Sequence, residues 1–194
     1  MIRRLLLKSI ILVALAGAVL YPRMDLAWRQ VRHFADWETL INPALPAMPE
    51  ILREIDAMLP ANCPPAIEVQ KVQAWVNKRI PYRRDWFTWS NVDYWPTAAE
   101  VLEKGCEDCD GRAVLAVSIL RARGFTTARL AANWAHVWAV VEANDPRMKS
   151  AEPVGLMKPR GTETFRRNGG GGLSFHSPLW AVLRLTLLQL SLLP

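Results

Sequence analysis

The chain has 194 residues, 51% of them hydrophobic, which is ample for one cored domain with appendages. A net charge of +6 and a pI near 9.6 give a basic surface of the kind that meets nucleic acid or an anionic membrane. The basic residues are scattered, with no block of five or six, so no nucleic-acid partner is expected.

Residues 1–21 read as a signal peptide or a membrane anchor. Arg3, Arg4 and Lys8 precede an uninterrupted apolar run from Ile10 to Tyr21. That run has signal-peptide length, and counting from Leu5 with Lys8 snorkelling makes a short span possible. Ala14-Leu15-Ala16 and Ala16-Gly17-Ala18 are small-residue sites of the kind signal peptidases cut. Either reading puts the rest of the chain at the cell membrane or in the periplasm or another extracytoplasmic space, although Arg23, Arg29 and Arg32 work against that orientation. Three cysteines, Cys63, Cys106 and Cys109, leave one thiol over. One arrangement ties Cys63 to Cys106 and leaves Cys109 free.

Residues 22–60 read as a helical arm. Asp25 to Leu40 carries Leu26, Val31, Phe34, Trp37 and Leu40 between charges, and Pro49 to Leu59 carries Ile51, Leu52, Ile55, Met58 and Leu59 on one stripe. A break at Leu59-Pro60-Ala61-Asn62-Cys63-Pro64-Pro65 opens the domain of residues 61–165. Ala66 to Ile80 is helical in period, and Pro81 ends it. An aromatic-rich loop, Tyr82 to Trp95, either closes the core or walls a cleft. Thr97 and Glu100 have capping-box spacing before a short helix to Lys104.

The stretch Gly105 to Gly124 is the centre of the reading. An acidic turn, Cys106-Glu107-Asp108-Cys109-Asp110, runs into a helical pattern with Ala113, Val117 and Leu120 on a buried face, closed by Gly124. A cysteine at a helix N-terminus meets free N–H groups and the positive end of the dipole, which favour the nucleophilic thiolate. Strand patterns follow at Thr126 to Ala132, Trp134 to Glu142 and Lys149 to Val154, the first two joined to the third through the turn at Ala143 to Arg147. Residues 166–194 hold a flexible linker, Gly169 to Gly172, and an apolar helix from Leu179 to Leu193 that is too short to span comfortably.

A thiolate needs a base, and the base needs an orienting group. Of three histidines, only His136 lies in a strand close downstream of the cysteine helix. Glu152, sixteen residues on, can return beside it on the next strand; Asp145 competes from the turn.

Asp108-Cys109-x-x-x-Ala113, Leu120-Arg121-Ala122-Arg123-Gly124, His136-Val137-Trp138 and Glu152-Pro153 together resemble the bacterial transglutaminase-like superfamily. The segment Asp93-Tyr94-Trp95-Pro96-Thr97-Ala98-Ala99-Glu100 also resembles what precedes the cysteine there. In that pattern Cys109 is the nucleophile, because Cys106 would miss both Ala113 and Gly124 by three positions. The orienting acid is Glu152 where the family usually has Asp, and Gly105 stands two residues early. The resemblance implies an α+β, papain-like/transglutaminase-like core, with a nucleophile-bearing helix packed on an antiparallel sheet. It implies thiol-dependent acyl transfer on a peptide, protein or amide substrate by Cys109, His136 and Glu152. The Cys109 N–H would serve the oxyanion, with Trp75, Trp89 or Trp95 as a second donor or cleft wall.

Two other function classes remain on the residues alone. One is a catalytically inactive, membrane-associated module that holds a peptide or protein. The other is a thiol–disulfide protein using Cys106 and Cys109 as a CxxC pair, which its acidic flanks oppose. Zinc needs about four ligands and finds three at most here, so no metal and no cofactor are expected.

Overall fold

The fold comes from a computed structural model, which describes residues 2–133, 136–148 and the strand at 154–156. Glu152, the glycine run and the apolar C-terminal segment lie outside the described residues. The protein is α+β.

Seven helices precede the sheet: α1 (Ile2–Leu20), α2 (Met24–Ala35), α3 (Met48–Asp56), α4 (Pro65–Arg79), α5 (Asp85–Thr88), α6 (Ala98–Lys104) and α7 (Cys109–Ala122). A 3-10 turn, Trp37–Leu40, follows α2. The strands are β1 (Arg129–Ala132), β2 (Val137–Val141) and β3 (Val154–Leu156), antiparallel in the order β1-β2-β3. Arg129 pairs with Val140 across β1 and β2, and Val141 pairs with Val154 across β2 and β3.

Helix α7 is the axis of the molecule. The sequence pattern predicts one buried face, but the helix is buried on all sides from Asp110 to Leu120 apart from Arg112. Helices α3, α4 and α6 and strands β1 and β2 all pack against it. Such enclosure suits its small and branched side chains, Ala113, Val114, Ala116 and Val117, which let neighbours approach closely. Gly124, at φ +85°, ends the helix in the left-handed conformation that glycine tolerates. The expected capping box is formed at α6: the Thr97 N–H donates to Glu100 Oε2 at 2.8 Å, and the Glu100 N–H donates to Thr97 Oγ1 at 3.3 Å.

The second half of the arm belongs to this same core. Leu40, Ile41, Leu45, Met48, Ile51 and Ile55 join the cluster around α7, and the Asn42 N–H donates to Ser118 Oγ at 3.0 Å. Val31, one of the apolar residues of the arm's first half, is 59% exposed. The helix predicted to run on to Leu40 stops at Ala35; within it Leu26 and Gln30 face the protein, which leaves Val31 on the outer side, and the 3-10 turn separately brings Leu40 into the core.

A buried ion cluster ties α4 to the end of α7. The Glu68 carboxylate accepts from Arg123 Nε, and from Arg147 Nη1 at 3.1 Å and Nη2 at 2.7 Å. Arg123 also reaches Asp56 at 2.9 Å. No single helix among the described residues is long and apolar enough to cross a membrane; α1 and α2 meet that length and composition only as a pair bent by 93°.

Candidate functional site

Cys109 is the first residue of α7, and the Asp108 carboxylate caps that helix by accepting the Asp110 N–H at 3.4 Å. The turn ahead of it is clamped in place. Glu107 bridges Tyr82, its N–H donates to the Pro81 carbonyl at 3.1 Å, and its carbonyl accepts the Arg83 N–H at 3.1 Å. Gly111 lets the first turn of α7 lie against this loop, because a Cβ there would overlap Glu107 Cγ and stand 2.8 Å from Pro96 Cγ.

The Cys109 sulfur sits against the start of β2, where the Val137 N–H favours its thiolate form. The residue before Val137 is His136. The structure therefore brings the nucleophile expected from sequence to the backbone of the expected base. The His136 ring stacks on Trp138, with centroids 6.0 Å apart and planes at 14°. Its carbonyl accepts the Asn133 N–H at 2.9 Å. The faces of β2 explain the stacking: Val137, Ala139 and Val141 pack toward α7, and Trp138 and Val140 make a second small cluster with Ala131. The third expected member, Glu152, lies outside the described residues. Its competitor Asp145 is engaged elsewhere, accepting the Thr127 N–H and hydroxyl at 2.8 Å each and the Arg147 N–H at 3.0 Å, beyond the end of β2 distant from His136.

The helix N-terminus is not the largest influence on the Cys109 thiol. Burial, then the neighbouring Asp108 charge, push the Cys109 thiol up to about 11 despite the Val137 and Cys109 N–H groups. A helix terminus contributes only about 1 kcal/mol to an adjacent anion, and removing the sulfur from water beside a carboxylate costs more.

The proposed indole donors do not converge on Cys109. The Trp75 Nε1–H donates to Glu54 Oε2 at 2.7 Å, and Trp75 is part of the core. The Trp89 Nε1–H donates to Glu107 Oε1. Trp95 packs edge-on to Phe34 at 5.4 Å and stacks on Trp37 at 5.7 Å, fastening the arm. Trp89 and Tyr94 close the core, so the aromatic loop is divided: those two are buried, and Tyr82, Trp86 and Phe87 are exposed.

The three cysteines are all free thiols, so the Cys63–Cys106 pairing is not formed. The Cys63 thiol turns instead to the Pro64 carbonyl at 3.5 Å. Cys106 and Cys109 are not bonded either: Cys106 precedes the extended bridge at Glu107, while Cys109 has already entered α7.

One part of the site escaped sequence reasoning. Asp85, at the start of α5, joins Glu107, Asp108 and Asp110, each offering a carboxylate oxygen within 4.8 Å of the others. Asp85 Oδ2 accepts the Tyr94 N–H at 2.6 Å, and Oδ1 is buried without a hydrogen-bond partner. Burial, then Asp108 and Glu107, push Asp85 up to about 10. Burial raises Glu107 to about 7 and Asp93 to about 6, and raises Asp110 well above the usual carboxylate range. Such a group can share protons among its oxygens, and it has the oxygen donors that hard divalent cations take. The run Glu107-Asp108-x-Asp110 was visible in sequence; the arrival of Asp85 depends on the path of the aromatic loop.

Fold and site together define an α+β protein with a cysteine at the mouth of a central helix, set against an antiparallel strand beside a histidine. Comparison of the chain with models of known protein families, and with curated proteins, finds no match.

Proposed function

We propose that the chain is a papain-like, transglutaminase-like enzyme that performs thiol-dependent acyl transfer on peptide or amide substrates. The observation that carries this reading is the placement of Cys109, opening a buried helix at the strand residue that follows His136. The resemblance, over roughly residues 66–155, supplies the family. The raised thiol shapes the mechanism. Cys109 rests as a neutral thiol, so its proton passes to His136 as sulfur bonds to the substrate carbonyl. The imidazolium then protonates the leaving amine, leaving a thioester on Cys109. Water or a second amine attacks that thioester, gives a proton back through His136 and restores the thiol. The Cys109 N–H, which has no intrahelical acceptor at the helix N-terminus, is the donor assigned to the developing oxyanion.

Glu152 is assigned as the acid that orients His136. Val154 pairs with Val141, at the end of β2 away from His136, so the strand register does not itself support the assignment, which rests on the resemblance and is tested separately. The working location is the membrane or the extracytoplasmic space, reached through residues 1–21, with a peptide or protein substrate.

The test is a mass-spectrometric trap. Purified protein is incubated with cell-envelope extract, quenched in acid and searched for an acyl adduct on Cys109. An adduct present in wild type and absent from Cys109→Ala and His136→Ala supports the enzyme, and its mass names the acyl group. Glu152→Gln should lower adduct formation; unchanged formation removes Glu152 from the mechanism and leaves a Cys–His pair. Absence of any adduct, together with substrate-independent behaviour of Cys109, sinks catalysis. The second reading then stands: a non-catalytic peptide-binding module, favoured by the raised thiol and the carboxylates around it.

A further inference from the structure

Helix α2 presents an apolar stripe to solvent. Met24, Trp28 and Val31 are 66%, 62% and 59% exposed, and their spacing of four and three residues puts them on one face. The opposite face is fixed to the protein. Leu26 and Gln30 are buried, and the Gln30 amide donates to Asp93 Oδ2 at 3.2 Å and accepts the Trp95 N–H at 2.7 Å. The stripe therefore cannot turn inward. It continues at the elbow into α1, none of whose residues is buried, and which leaves α2 at 93°. Exposed Val92 joins that elbow, donating its N–H to the Leu20 carbonyl at 2.9 Å.

Charge frames the stripe. Arg32 lies over the Trp28 ring at 5.7 Å, whereas Arg29 turns to the protein, pairing with Glu100 at 2.7 Å. Asp25, the one acid of α2, is neutralised by Arg23 at 2.7 Å. A helix with Trp, Met and Val on one face and Arg32 beside them, continuous with a helix that carries Arg3, Arg4 and Lys8, matches an anionic bilayer interface, where apolar side chains enter the acyl boundary and cations meet headgroups.

We propose that α2 lies flat in the surface of an anionic bilayer, with Met24, Trp28 and Val31 embedded and α1 continuing into the same membrane. This inference is independent of the acyl-transfer reading. It also gives that site a location. The buried side of α2 holds Asp93 and Trp95, and the Tyr94 between them bonds Asp85 in the carboxylate group beside Cys109. A helix resting on lipid is thereby tied by hydrogen bonds to the loop beside the nucleophile.

The test uses the full chain on phosphatidylcholine–phosphatidylglycerol vesicles with bromine at shallow or deep acyl positions. The difference in fluorescence between wild type and Trp28→Phe isolates Trp28 from the other tryptophans. Trp28 is expected to be quenched by shallow bromines and much less by deep ones. Trp28→Glu with Val31→Glu should weaken binding to anionic vesicles at least about tenfold while circular dichroism stays unchanged. Three results overturn the proposal. The chain binds vesicles and Trp28 is unquenched, so α1 alone holds it. The stripe variant binds as tightly as wild type. The stripe is covered by a second copy, seen as a dimer that the glutamates dissociate.

Discussion

Replacing Asp108 by Asn should make Cys109 easier to ionise. Burial is the first cause of the raised thiol and Asp108 the second. A thiol pushed up to about 11 holds on the order of 0.1% thiolate at pH 8, roughly a hundredfold less than an ordinary cysteine. The substitution removes the charge but keeps the helix cap, since Asn caps as well as Asp and can still accept the Asp110 N–H. If Asp108 supplies about a third to a half of the rise, the thiolate fraction increases about five- to tenfold. The alkylation rate at pH 8 gains less, about two- to fourfold, because a thiolate of lower pKa is a weaker nucleophile. The sharper readout is the midpoint of the pH–rate curve, which should move down by about 0.7–1. Iodoacetamide labelling between pH 7 and 11, followed at the Cys109 peptide with Cys63 as internal control, measures it. A midpoint that stays put or moves up, with Cys63 unchanged, refutes the account of the raised thiol.

Three further substitutions test the surroundings. Asp85 is raised in the folded state, to about 10, so its carboxylate form opposes folding increasingly as pH climbs from about 4, its unfolded value, toward that figure. Asp85→Asn should therefore stabilise by about 1–3 kcal/mol at pH 8 and by nothing at pH 4, read by thermal unfolding in chelator. Gly111→Ala should destabilise by about 1–3 kcal/mol, against alanine's better helix propensity, because its Cβ overlaps Glu107 and Pro96; urea unfolding measures it. Glu68→Gln leaves Arg123 and Arg147 without their shared carboxylate and should cost about 3 kcal/mol. Loss of less than about 0.5 kcal/mol in urea would show the cluster to be as weak as a surface pair.

Local signals were readable wherever short-range chemistry decides the outcome. Thr97 and Glu100 form their capping box, Pro64 and Pro65 open α4, and Gly124 ends α7. Asp108 and Cys109 stand at the helix start that the register requires. Positions that depend on distant partners were not readable. Val31 is one of the arm's apolar residues, yet it faces solvent because α2 turns Leu26 and Gln30 to the protein. Trp75 and Trp89 looked like spare donors until Glu54 and Glu107 met them. Asp85 has no periodic signature, and only the folded loop carries it to Asp110.

By itself the sequence determined the longer helices of the core, the order of cysteine and histidine, and the basic, apolar N-terminus, because these depend on spacing and neighbours a few residues apart. Tertiary structure alone decided the state of the site. The Cys109 thiol is set by two opposed effects, a helix terminus legible from its own residues and a desolvation that exists only once α7 is enclosed. The second is larger, because taking a charge out of water beside another carboxylate outweighs the partial charge at one helix end.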